Sequence, residues 1–315
     1  MITALADYAR ELGFLACGIA SLEPSRHGGA LDAWLAAGYG GSMRYLHRRA
    51  RKRKHPGEIV PGAKVAVVVL ENYLPEPPED RDPEPAGAPA RAKIAKYARG
   101  TDYHRSLKRR LGLLAGWLRA HGATIAHTWA DDGPVPEREL AQRAGLGWIG
   151  KNTMLIRPES GSFCFIGTVF TDLALESAHA PEYDRCGTCT RCLDACPTGA
   201  FVAPRLLDAT KCISYLTIES RRPIPVALAD RLEGWAFGCD ICNDVCPWNH
   251  RFARPTTVPD YQDRGTIATG DPGFFQRMEE PEFTARFGDS PLERPGLSGM
   301  RRNWAAAFKS LEASR

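Results

Sequence analysis

Residues 186–197 read C-G-T-C-T-R-C-L-D-A-C-P, setting Cys186, Cys189, Cys192 and Cys196 at x2, x2, x3 spacing with Pro197 directly behind. In such a run three closely spaced thiolates grip one four-iron cubane, while the fourth, turned away before the proline, reaches across to a second. The second half of the site is expected at 239–247, C-D-I-C-N-D-V-C-P, where Cys239, Cys242 and Cys246 precede Pro247. That run has one cysteine fewer than the first. Cys212, in T-K-C-I-S-Y, is the only other cysteine nearby and brings the count to eight thiolates for two 4Fe-4S clusters. By the crossing rule, Cys186, Cys189, Cys192 and Cys246 hold the first cluster, and Cys196, Cys212, Cys239 and Cys242 the second.

Zinc and disulfides are the plainer uses of cysteine. Structural zinc favours paired C-x2-C knuckles roughly 15 to 20 residues apart and has no need of a triple run with a trailing Cys-Pro. Disulfides need an oxidising compartment, and the start Met1-Ile2-Thr3-Ala4 does not open the basic, then apolar, stretch of a secretory signal. Cys17 and Cys164 lie in apolar runs and read as small core residues. No apolar run approaches the roughly 18 residues of a membrane span, so a cytoplasmic protein without a membrane partner is expected. The formal charge of +4 over 315 residues is too small to demand a polyanion. Its distribution is more telling: a basic block covers 47–55, a second covers Arg105, Lys108, Arg109 and Arg110, and Arg301 and Arg302 lie near the end. Such blocks are often only solvated helix faces, yet they are also what a phosphate backbone binds.

Hydrophobic periodicity organises the rest. Helices are expected over 2–13, 31–37, 43–53, 103–121 and 137–144, and strands over 14–22, 63–70, 123–130 and 163–170. Strands alternating with helices indicate an α/β domain over 1–172. A ferredoxin-like module with both clusters follows over 173–250, and then a proline-rich tail, 251–315, with helices at 281–287 and 301–311. The fold class is thus α/β or α+β, with a cluster module and a short helical tail. Prolines and acids dominate 75–89, which reads as an exposed loop.

Two stretches of the first domain could carry chemistry. In D-D-G-P-V-P-E-R, Asp131 and Asp132 follow a strand and precede a helix; they either face a ligand at the sheet edge or cap the helix. In G-L-G-W-I-G-K-N, Gly145, Gly147 and Gly150 spell G-x-G-x-x-G, but the run follows a helix and leads into a strand-like stretch, so a nicotinamide site is not expected. Trp148 and Lys151 there could hold a flat or anionic group.

The order of these segments, D-D-G-P, G-L-G-W-I-G-K-N, C-x2-C-x2-C-x3-C-P-T-G-A, C-I-S-Y-L-T-I-E and C-D-I-C-N-D-V-C-P-W-N, resembles the epoxyqueuosine reductase family over nearly the whole chain. The resemblance implies a cobalamin-dependent iron–sulfur enzyme whose N-terminal domain binds the cobalamin. It would reduce epoxyqueuosine to queuosine at the wobble position of tRNA, with electrons from an external donor. It makes Asp131 the general acid, its pKa raised by burial, with Asp132 sharing the proton or capping the helix. Arg53, Tyr97, Trp148, Lys151 and Ser214 become candidates for the cofactor pocket. His104, in D-Y-H-R-S-L, is not expected on cobalt, because Leu107 stands where the cobalt-ligating signature needs glycine. Arg294, Arg301, Arg302 and the block at 47–55 are left to grip tRNA phosphates, and a monomer is expected. The competing readings are a two-cluster electron carrier and a corrinoid reductive dehalogenase.

Overall fold

The apolar run near residue 65 becomes the second strand of a four-stranded sheet. In the computed structural model, which describes residues 1–78, 89–177 and 182–313, β1 (Ala16–Ser21), β2 (Val65–Asn72), β3 (Ala126–Trp129) and β4 (Cys164–Thr171) lie in the order β1-β2-β4-β3. Every ladder in it is antiparallel. Both faces are covered. Val67 and Val69 meet Leu5 and Ala9 of the helix Ile2–Glu11 and the leucine stripe of the helix Tyr103–Ala120. Ala66, Val68 and Leu70, which point the other way along the strand, meet Leu140 and Ala141 of the helix Glu137–Arg143. Leu107, Leu111, Leu114 and Leu118 are each 0% exposed, and each such leucine stabilises the sheet–helix contact by about 1.5–3 kcal/mol.

The helices and strands expected over 1–172 form close to the expected places, but the sheet is antiparallel, so α+β describes it and α/β does not. A strand covered on both faces reads as one unbroken apolar run whichever way its neighbours point, which is why the pattern did not reveal the direction. The basic stretch also differs from its reading as one helix. It forms two short ones, Arg44–Arg48 and Ala50–Lys54, separated at Arg49, whose φ is −105°. The loop expected over 75–89 lies mostly outside the described residues.

Packing does not stop at residues 172 and 250. Lys93–Ile94 pairs in parallel with Trp235–Phe237 of the cysteine-rich segment. The helices Glu280–Phe287 and Gly296–Ala313 close over that pair with Phe275, Phe283, Phe287 and Trp304, all buried together with Ile94 and Phe237. Residues 253–261 run back over the sheet, where Ala253 and Tyr261 join its core and Thr256 N–H donates to the Leu74 carbonyl at 2.6 Å. The expected tail is therefore built into two cores. Among the described residues no helix is long and apolar enough to cross a membrane.

Candidate functional site

The first cysteine set is assembled by three short elements. Cys192 lies in the helix Arg191–Asp194, and Cys246 is the N-cap of Pro247–Phe252, where Pro247 takes the first helical position that its fixed φ and missing N–H suit. With Cys186 and Cys189, these thiols line one cavity of about 240 Å³ that also touches Trp248 and Asn152. That is roughly eight times the share of one water in the liquid, room for a cluster and far more than a single ion needs.

The remaining four thiols form the second set. Burial pushes Cys239 and Cys242 well up; beyond that, Cys239 feels Cys242 and Cys212, and Cys242 feels Cys212, Cys192 and Cys196. Burial also raises Cys212, against hydrogen bonds from the backbone and hydroxyl of Ser214 and the backbone of Tyr215. Ala200 N–H donates to Cys196 Sγ at 3.4 Å. Cys192 is pushed up to about 11 by burial and then by Cys246, Cys186 and Cys189. Thiols raised in this way release protons when they bind iron. The donor chemistry and the two fourfold sets fit two cubanes. Cys17 and Cys164 stand apart, each pushed up to about 12 by burial foremost, and belong to the sheet core.

Three candidates for the cobalamin pocket contact these cysteines or their loops. Trp148, 0% exposed, donates from Nε1 to Cys186 Sγ at 3.5 Å and stands edge-on to Trp248. Lys151 Nζ donates to the carbonyls of Gly187 and Cys189 at 2.7 and 2.9 Å. Ser214 bonds Cys212. The glycine-rich neighbourhood of Trp148 and Lys151 suggested a flat ligand, but the hairpin it forms is packed under the first cysteine loop, which sequence spacing does not reveal.

A second cluster of polar side chains gathers around Asp131. This residue is exposed, in the turn after β3, at φ 57°. Its Oδ2 accepts the Tyr103 hydroxyl at 2.6 Å, and its N–H donates to Glu137 Oε1 at 2.7 Å. Asp132 Oδ1 accepts the Ala130 N–H at 3.0 Å, and its other oxygen takes Lys108. Neither aspartate caps the following helix, whose N-cap is Pro136, so the capping alternative falls. The expected burial of Asp131 is absent as well, because its turn projects beyond the sheet edge. Beneath the turn, Arg53 donates to the carbonyls of Val135 and Gly133 at 3.2 Å each, while its Nε is buried without a protein partner. Gly133 is needed there: a Cβ would sit 2.4 Å from the Trp129 ring.

Tyr97 packs edge-on to Tyr103 and against Phe237. Burial, then the charge of Asp131, raises its phenol far above the usual range. Burial raises Tyr45 too, followed by Glu219 and Asp131. Arg294 pairs with Glu219 at 3.1 Å and also feels Asp131. Glu219 ends the wide turn Tyr215–Glu219 of the C-I-S-Y-L-T-I-E stretch. The same turn presents Tyr215 to the glycine-rich stretch at 38–41: its hydroxyl receives the Ser42 N–H at 2.7 Å, and a Cβ on Gly41, which has φ 54°, would collide with it. The second cysteine set and the Asp131 cluster are thus joined through one short segment. A buried guanidinium nitrogen without a partner, beside the phenol of Tyr45, fits an amide-rimmed macrocycle such as cobalamin.

Sequence reading missed Tyr45, Tyr103, Glu137 and Glu219. Only Glu137 carried a signal, six residues after Asp131, and there it read as the ordinary acid of a first helical turn. Two expected phosphate contacts are spent internally: Arg301 donates to the carbonyls of Phe275 and Met278, and Arg302 to those of Leu216, Ser220 and Arg222. His104 is turned to Asp102 at 2.8 Å.

Comparison with known proteins accounts for both halves. A family described as "Epoxyqueuosine reductase QueG, DUF1730" matches residues 53–131, and a 4Fe-4S double cluster binding domain matches 185–249. An epoxyqueuosine reductase of Pseudomonas aeruginosa is 41% identical over 303 residues, covering 96% of this chain and 83% of its own. The chain belongs to the epoxyqueuosine reductase family. Another member, from Leadbetterella byssophila, is 42% identical over 95% of both chains. The solved epoxyqueuosine reductase with a tRNA-Tyr epoxyqueuosine-modified stem loop superposes with a TM-score of 0.88 at 29% identity, covering 99% of this chain and 82% of that one. One from Bacillus subtilis, with its catalytic aspartate loop swung out of the active site, gives 0.86 at 29%, covering 99% and 82%. This reductase is therefore an oxidoreductase with a double 4Fe-4S module, and the carrier and dehalogenase readings give way.

Proposed function

We propose that the chain reduces epoxyqueuosine to queuosine at the wobble position of tRNA, with cobalamin held between Arg53, Tyr97 and the second cluster, and with Asp131 as the proton donor. Removing an epoxide oxygen as water consumes two electrons and two protons. When bound, cobalamin supplies low-valent cobalt, a nucleophile that iron–sulfur clusters alone do not provide. The first cysteine set, lining a cavity that includes Arg185, takes electrons from an external donor, and the second stands next to the cleft. The Asp131 carboxyl, oriented through Oδ2 by the Tyr103 hydroxyl, would give the ring oxygen a proton from its other oxygen. Tyr97 and Tyr45, kept neutral, offer hydrogen bonds around the substrate. The exposed Arg44, Arg48 and Lys52 beside this loop meet phosphates of an anticodon loop whose base is unstacked into the cleft. The relative solved with a tRNA stem loop supports that partner.

The observation that carries this reading is the Tyr103–Asp131 hydrogen bond, in a cluster that Tyr45 shares with Glu219 of the segment after Cys212. Anaerobic reconstitution with iron, sulfide and cobalamin should give about eight irons and one cobalt per chain. Asp131→Asn should keep both metals and lose about 10²- to 10⁴-fold in turnover. Wild-type turnover in that variant would remove Asp131 from its role, and iron without cobalt would remove the cobalamin.

A further inference from the structure

The turn that carries Asp131 is fastened at Asp131, Asp132, Gly133 and Val135, and one fastening acts on the backbone of Asp131 itself. A positive φ is unfavourable for any residue with a Cβ and persists only where its surroundings hold it. Tyr103 holds the carboxyl, Ala130 and Lys108 hold Asp132, and Arg53 holds the carbonyls of Gly133 and Val135. The Asp131 N–H is held by Glu137 Oε1 at 2.7 Å, from the first residue of the helix that packs on the sheet. We propose that Glu137 is a positioning residue, a latch that keeps Asp131 in the left-handed turn from which its carboxyl meets Tyr103 and the cleft. Freed of that bond, the turn relaxes towards negative φ and swings the carboxyl away from the Tyr103 hydroxyl. Burial first, and the charge of Asp131 second, push Glu137 up to about 8. An accepting oxygen is all that the latch requires, and an amide supplies one as well as a carboxyl does.

This inference rests on the reading of Asp131 as proton donor, and two readouts on the reconstituted enzyme separate the two. The first is hydrogen–deuterium exchange of the peptide containing Asp131. Glu137→Ala should speed exchange there about tenfold or more, since the bond that protects this amide is gone. The second is turnover, which in the same variant should fall about tenfold to a hundredfold in kcat, the cost of a misplaced acid, with iron, cobalt and tRNA affinity retained. Glu137→Gln, which keeps the accepting oxygen, should restore most of both. Unchanged exchange in Glu137→Ala, or a Glu137→Gln variant as impaired as the alanine, would overturn the latch. Asp131→Asn keeps the N–H and should exchange like the wild type, so full turnover in that variant removes the acid and leaves the latch standing.

Discussion

A carboxyl kept protonated inside a fold ties stability to pH, and Glu137 is such a group. Its ordinary value is 4.5 and its folded value about 8. Between these the folded chain holds a proton that the unfolded chain has released, so the contribution of Glu137 is complete below the lower value and is lost as pH rises through the window. Glu137→Gln should therefore gain in Tm relative to wild type as pH goes from about 5 to 8. A constant difference in Tm across that range would contradict the protonated carboxyl. Asp131 and Arg53 were legible in the sequence because a family pattern surrounds each. Glu137 was not, because its burial comes from the folding of the turn over it, and Tyr103 lies 28 positions earlier in the chain.

Among the elements, the cysteine runs were the most legible. Spacing decides which thiols a tight turn can bring to one cubane, and the trailing proline starts a new helix at Cys246. The first set lines one cavity as expected, and the crossing assignment can be tested by counting. Cys246→Ala and Cys212→Ala should each retain about four irons, and the double variant almost none, since each removes a ligand of a different cubane. A double variant that still holds four irons would put both cysteines on one cluster. The G-L-G-W-I-G-K-N hairpin was legible as unusual but not as to its partner. It supports the first cysteine loop through Trp148 and Lys151, and nothing in its own residues distinguishes that loop from a flat ligand.

For the whole molecule, the tail is the part that sequence understated. Trp304 is 0% exposed. It packs 4.9 Å from Phe275, centroid to centroid, and donates to the Asp271 carbonyl at 2.9 Å. Its neighbour Asn303 donates to the Thr217 carbonyl at 2.6 Å, in the turn that joins the second thiol set to the Asp131 cluster. Trp304→Ala should cost about 3–5 kcal/mol and lower Tm while the protein still takes up iron in the cold. An unchanged Tm would mean that the tail core does not brace this turn.

The sequence by itself determined the iron–sulfur chemistry and the family, because each depends on residue type at short spacing along the chain. Tertiary structure decided the rest. The direction of the sheet, the packing of Trp148 and Lys151 on the first cysteine loop, the internal use of Arg301 and Arg302, and the latch on Asp131 all depend on residues far apart in sequence. Their contacts are set by how covered faces stack, and a buried strand or an arginine reads the same in sequence whichever neighbour it meets.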